Sequence, residues 1–218
     1  ATGETVRTVE VSGLILGQVL TNDALAVETA RNYYPGAEGQ GVISVYPLSN
    51  LADKPSTISS DHWLIGASRD SLLLSPYSPT TGNDRSTRFR PFTVTQMGTD
   101  GTVRRTITGV NQIHPGGWLQ RFRDPASAAA LAPSTVGKDD DQTRAAWNAL
   151  PTQIVDLNSG STHDLMGGRA ESVGVPTGPG LLISHEAADG DGSPQQFWLS
   201  AADDGHPHTE NLEQFKNN

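Results

Sequence analysis

Four times along this chain the same order of elements recurs, and no other feature of the sequence constrains its fold as tightly. The first pass reads "GLILGQVL", "NDALAVET", the loop "ARNYYPGAEGQ" and the hairpin "GVISVYPLSNLADKPSTISS". The second reads "DHWLIGAS", "SLLLSPYS", the loop "PTTGNDRSTRFR" and "PFTVTQMGTDGTVRRTITG". In the third, "NQIHPGGWLQRFRDP" precedes a longer loop, "ASAAALAPSTVGKDDDQTRAAWNALP", and the hairpin "TQIVDLNSGSTHDL". The fourth runs "AESVGVPTGPGLLISHE", "AADGDGSPQ" and "QFWLSAADDGHPHTENL". Period-2 alternation and short apolar runs, broken by Gly, Asn and Asp, read as strands rather than helices. Thr99-Asp100-Gly101 is the strongest turn signal, because Gly accepts the positive φ that a tight hairpin demands.

Four strands in every ~50 residues predict a β-propeller with one unit per blade. The chain is therefore expected to be all-β, a small β-propeller of four four-stranded blades over residues 13–60, 61–110, 111–168 and 169–212, in one domain. The first strands of each unit are expected to be buried on both faces, and the polar last strands to be exposed edges. A sandwich would instead alternate inward and outward positions on most of its strands. One short helix is expected in the third-repeat loop, over "DDDQTRAAWNAL". Its Asp residues, Asp139 to Asp141, can cap the first turn, and Pro151 stops it. Residues 1–12 hold a spare strand, "ETVRTVEV". It closes the ring on the last blade, or joins the C-terminus in a fifth, incomplete blade, or is left from a preceding blade of a larger protein. A self-contained ring of four or five blades is preferred.

Composition narrows the partners. The chain has 218 residues, 23 Gly and 14 Pro, which fits many turns and short elements. Its net charge of −9 repels phosphate backbones, so nucleic acid is not expected as a partner. The basic clusters "TVRR" and "RFRD" read as solvated strand edges. With no Cys, disulfides, thiolate metal sites and cysteine nucleophiles are excluded. No apolar run approaches the ~20 residues that a membrane-spanning helix needs. The opening "ATGETVRTVEV" shows no signal-peptide pattern, which fits a mature N-terminus after cleavage or a cut end. Sparse Lys with abundant Thr, Ser, Asp and Gly is typical of exported proteins of high-GC Gram-positive bacteria, so a secreted or cell-envelope location is expected.

With the repeats in view, the chain resembles the broad class of TolB-like, WD40-like and quinoprotein-like propellers of bacteria. The stretch "DLNSGSTHDL", Asp156 to Leu165, is similar to the D-x-x-T-G turn of quinoprotein-type blades, with Ser159 where Thr is usual. No Trp-Asp dipeptide is present, so the WD40 signature is absent. The resemblance implies the fold and carries over no site.

Several residues bear chemistry, each with a plainer explanation beside it. Asp189 and Asp191, near His185 and Glu186 on a Gly-rich loop, suit a Ca²⁺ ion, although a solvated acidic loop explains them as well. His206, His208 and Glu210 share a period of two that would put them on one side of a strand within reach of a metal; an exposed tail is the alternative. Asp61, His62 and His114 are the candidate catalytic residues, with Asp23 and Glu171 at neighbouring strand ends. Packed or hydrogen-bonded histidines are the plainer roles for His62 and His114. Trp63, Trp118 and Trp198 read as core residues of three different repeats. Tyr33, Tyr34 and Tyr77 lie in or beside loops, where aromatics suit contact with a glycan or protein. No nucleophile elbow, phosphate loop or zinc helix motif occurs. The preferred function is thus a non-enzymatic binding or scaffold module recognising a protein or glycan, needing no cofactor beyond the Ca²⁺ option. The alternative is a hydrolase or lyase acting on a carbohydrate in an axial funnel, which would need two or more of the five titratable candidates in one pocket.

Overall fold

The computed structural model describes residues 8–30, 41–51, 53–76, 91–135, 140–165, 169–171, 180–185, 195–201 and 207–211. Strands predominate. β1 (Leu14–Leu20), β2 (Ala24–Ala30), β3 (Gly41–Pro47) and β4 (Ser56–Ser60) form an antiparallel sheet in that order. β5 (Trp63–Ala67), β6 (Ser71–Ser75), β7 (Phe92–Gly98), β8 (Val103–His114), β9 (Trp118–Phe122), β10 (Thr152–Asp156) and β11 (Thr162–Asp164) form a second sheet, also in sequence order. β12 (Arg169–Glu171), β13 (Gly180–His185), β14 (Gln195–Ala201) and β15 (Pro207–Asn211) form a third. Two helices, α1 (Pro125–Thr135) and α2 (Asp141–Asn148), lie between β9 and β10.

The expected propeller is not what forms. Among the described residues the strands make two four-stranded sheets and one of seven, and no strand order closes on itself into a ring of blades. The cause lies in β8. The second and third repeats were expected to separate at "TGVNQ", yet β8 runs unbroken for 12 residues and hydrogen-bonds within one continuous sheet. Gly109 sits at φ +72 inside the strand, and the register slips between Val110 and Gln112. The turn-like residues therefore make a bend and a bulge within one strand, where a break was expected.

The chain divides into two compact units, Ala1–Pro79 with Val94–Thr106, and Thr80–Thr93 with Ile107–Asn218. In the first unit, Ala24, Ala26, Ile43, Val45, Leu64, Leu72 and Leu74 form the core, with Val19, Ile58 and Met97 packed against it. Ala24 and Ala26 share one face of β2, and Ile43 and Val45 one face of β3, while Val27 and Tyr46 are buried on the opposite face. The hairpin at Thr99-Asp100-Gly101 forms as read: Gly101 has φ +87, and Gly98 N–H donates to Thr102 O at 2.8 Å.

Burial departs from the sequence reading on β1. That apolar run was expected to be enclosed, but it is an edge strand, with Leu14 37%, Ile15 55% and Leu20 64% exposed. The fully buried run is β6, whose five residues, Ser71 to Ser75, are all enclosed because β6 has a neighbour on both sides. The spare N-terminal strand does not form among the described residues, since Thr8 to Ser12 carry no strand.

Two apolar clusters lie among the described residues of the second unit. Trp118, Ile154, Leu165, Ile183 and Leu199 form one, and Phe122, Ala128 and Trp147 the other. The Phe122 and Trp147 rings lie 5.4 Å apart and anchor the helices on β9. The helix read from "DDDQTRAAWNAL" is α2, and Asp140 caps it by accepting from Thr143 N–H at 2.7 Å. α1 was read as loop. Its start is nonetheless capped, since Asp124 Oδ1 accepts from Ala126 N–H at 3.0 Å and Asp124 Oδ2 from Ser127 Oγ at 2.6 Å, with Pro125 in the first turn.

Candidate functional site

Among the sequence candidates, the described structure brings Asp61 and His62 together. Both lie in the turn between β4 and β5. Ser60 shapes that turn: its Oγ accepts from His62 N–H at 3.0 Å and donates to His62 O at 3.2 Å. His62 Nδ1 stands 2.7 Å from Asp61 Oδ1, so the ring donates from Nδ1 to the carboxyl. The hydrogen bond from His62 holds the Asp61 carboxyl below the usual carboxylate range. The two side chains are 65% and 38% exposed, which places this pair on the surface of the turn.

Beneath the turn lies a carboxyl that sequence reading did not single out. Glu28, on β2, is fully buried. Its Oε2 accepts from Leu64 N–H of β5 at 2.8 Å, which links the two sheets of this unit. Its Oε1 has no hydrogen-bond partner. Burial raises the Glu28 pKa, and the Leu64 N–H lowers it by a smaller amount. The backbones approach closely here: a Cβ at Gly17 would lie 2.5 Å from Leu64 O, and one at Gly41 would lie 3.1 Å from Glu28 Oε1. The signal for Glu28 was its period-2 alignment with Ala24 and Ala26, which puts it on their face.

The other candidates do not join this pair. Asp23 is exposed at the far end of β2, where the neighbouring Asn22 N–H donates to Arg69 O at 2.7 Å. His114 belongs to the second unit and is 1% exposed; burial lowers its pKa to about 4, so it is neutral at pH 7. It is enclosed, and Trp118 is its cross-strand partner in register. Glu171 lies in β12, and His208 and Glu210 in β15, with nothing described of their side chains. Tyr33, Tyr34, Tyr77, Asp189, Asp191 and His206 lie outside the described residues, as does Asp139. Among the described residues, no group of three or more His, Asp or Glu is placed to hold a metal ion.

Two polar clusters are explained by structure alone. Asp156, 1% exposed, organises the "DLNSGS" turn: its Oδ1 accepts from Asn158 N–H at 2.8 Å and its Oδ2 from Ser159 Oγ at 2.8 Å. Asn158 Nδ2 in turn donates to Gly116 O at 3.0 Å, tying this turn to the one between β8 and β9. In the first unit, Gln96 Nε2 donates to the buried Ser71 Oγ at 2.6 Å, and Gln96 Oε1 accepts from Arg105 Nε at 2.7 Å. Arg104 reaches Asp70 at 2.7 Å, so the "TVRR" cluster is engaged in strand-edge contacts.

Comparison with known proteins finds no described family that matches this chain and no curated protein that matches it. No helix among the described residues is long and apolar enough to cross a membrane.

Proposed function

We propose that this chain is an exported, non-enzymatic binding or scaffold module that recognises a protein or glycan partner. The observation that carries this reading is the outward face of β1. A bulge at Leu16 shifts the register, so that Ile15 pairs with Thr29 and Leu20 with Leu25. Thr29 and Leu25 share one face of β2, so the bulge puts Ile15 and Leu20 on the same side of the edge strand. Both are more than half exposed, on the face opposite Ala24, Ala26 and the core. Apolar side chains aligned on a strand that ends its sheet among the described residues suit an extended or apolar ligand, with main-chain pairing for affinity and side chains for selectivity.

A peptide display library and a glycan array, both probed with the whole chain, test this. The expected result is a set of enriched ligands whose affinity falls at least about tenfold, near 1.4 kcal/mol, in the Ile15→Lys/Leu20→Lys double variant. Ligands that bind the double variant unchanged would remove β1 from the reading, and the absence of any enriched ligand would reject the reading itself.

The Asp61–His62 pair supports a second reading, a hydrolase or lyase acting on a carbohydrate. An aspartate that orients an imidazole favours a general base. A glycosidase needs a second carboxyl across a cleft, and Glu28, bonded to the same strand β5, is sealed in the core. Turnover of polysaccharide substrates that is abolished in both Asp61→Ala and His62→Ala would favour this reading over the first.

A further inference from the structure

We propose that Glu28 is a proton-held latch that fastens β2 to the backbone of β5 beneath the Asp61–His62 turn. The argument begins from geometry. Glu28 is fully enclosed, yet its carboxyl receives a single hydrogen bond, from Leu64 N–H, and its second oxygen receives none. A carboxylate with one donor and no cation is among the costliest groups to bury, whereas the neutral acid is tolerated. Among the described residues, the groups facing it from each packed element offer no compensating charge. β1 presents Gly17, its partner in register; β3 presents Gly41 and Ile43; β4 ends at Ser60; and β5 contributes Leu64. Asp61 and His62, in the turn that leads into β5, are 65% and 38% exposed and belong to its surface.

The latch also occupies a mechanically exposed place. Leu64 is where the β5 register shifts against β6, between Leu64 and Gly66, so its N–H is turned toward Glu28. Gly17 and Leu64 are already in close backbone contact, so β1 and β5 are tightly apposed where Glu28 bonds to Leu64. Protonated Glu28 therefore holds the two sheets together. Once ionised, it must reach solvent, and it can do so only by releasing Leu64 and loosening the turn that carries His62.

The sign is fixed by linkage. A carboxyl bound more tightly to its proton in the folded state stabilises fully below its unfolded value of 4.5 and loses that contribution as pH rises through its folded value. The test follows the Glu28 carboxyl by ¹³C NMR and the Leu64 amide by hydrogen exchange, in the whole chain, from about pH 4 to about pH 9. Glu28 should titrate above the ordinary glutamate range. Leu64 protection, corrected for intrinsic exchange, should fall through the same midpoint, about tenfold for each further pH unit. In Glu28→Gln, which keeps the shape and stays neutral, Leu64 protection should be independent of pH. Glu28→Met provides a second neutral variant without polar atoms and should behave the same way. The latch is rejected if Glu28 titrates at or below the ordinary value, if it stays un-ionised across the range, if Leu64 is silent through the titration, or if Glu28→Gln keeps the wild-type pH response.

Discussion

His114 shows how a single side chain sets a pH limit. Enclosed opposite its cross-strand partner Trp118, it stays neutral in the folded state down to about 4, whereas an unfolded histidine protonates near 6.5. Its contribution is present above the unfolded value and is lost as pH falls toward the folded one. The difference corresponds to about 3 kcal/mol across that window. His114→Gln should flatten the loss, which urea unfolding midpoints at neutral pH and near pH 4.5 would reveal; an unaltered slope would show that another group controls acid stability. Glu28 acts in the opposite direction, being favourable at low pH. Of the two, His114 was legible in the sequence, because a lone histidine beside apolar positions reads as packed. Glu28 was not legible. On β2 the larger apolar residues, Leu25 and Val27, mark the apparent core face and leave Glu28 on the other side. The core lies on the Ala24–Ala26–Glu28 face because the small residues admit the close approach of β5.

At the scale of elements, strand positions and tight turns were readable because both depend on neighbouring residues. Asp100 and Gly101 produce their hairpin, and Asp140 its helix cap, through contacts no more than a few positions apart. α1 was missed because "ASAAALAPST" shows no apolar face and contains Pro133, although the Asp124-Pro125 start is a fair helix signal. β1 was misjudged because an apolar run cannot itself reveal whether it has one neighbouring strand or two. Its bulge and Gly17 then decide what it touches. Gly17→Ala would drive a methyl group into Leu64 O, a backbone atom that cannot swing aside. The expected cost is about 1–3 kcal/mol in thermal or denaturant unfolding. A neutral outcome would mean that β1 and β5 are not in close backbone contact in solution.

For the whole molecule, the repeat order was visible and the way the repeats join was not. A four-strand period is equally compatible with separate four-stranded sheets and with a longer sheet running through a common strand, and β8 takes the second course. Leu72, on β6, and Ile154, on β10, are both fully buried members of the resulting seven-stranded sheet. Leu72→Ala and Ile154→Ala should each cost about 2–5 kcal/mol. Denaturant unfolding of each variant measures the loss, and a change below about 1 kcal/mol would mean that the side chain is not enclosed as described. By itself the sequence determined the strands, the turns between them and the capped helix α2, since these follow from alternation and from side chains that bond to nearby backbone. Only the tertiary structure decided which strands are edges, which face of β2 is the core, and where one sheet ends and the next begins. Those outcomes rest on pairings between distant residues, such as Gly17 against Leu64 and Glu28 with the Leu64 amide, and the same alternating pattern is compatible with more than one set of such pairings.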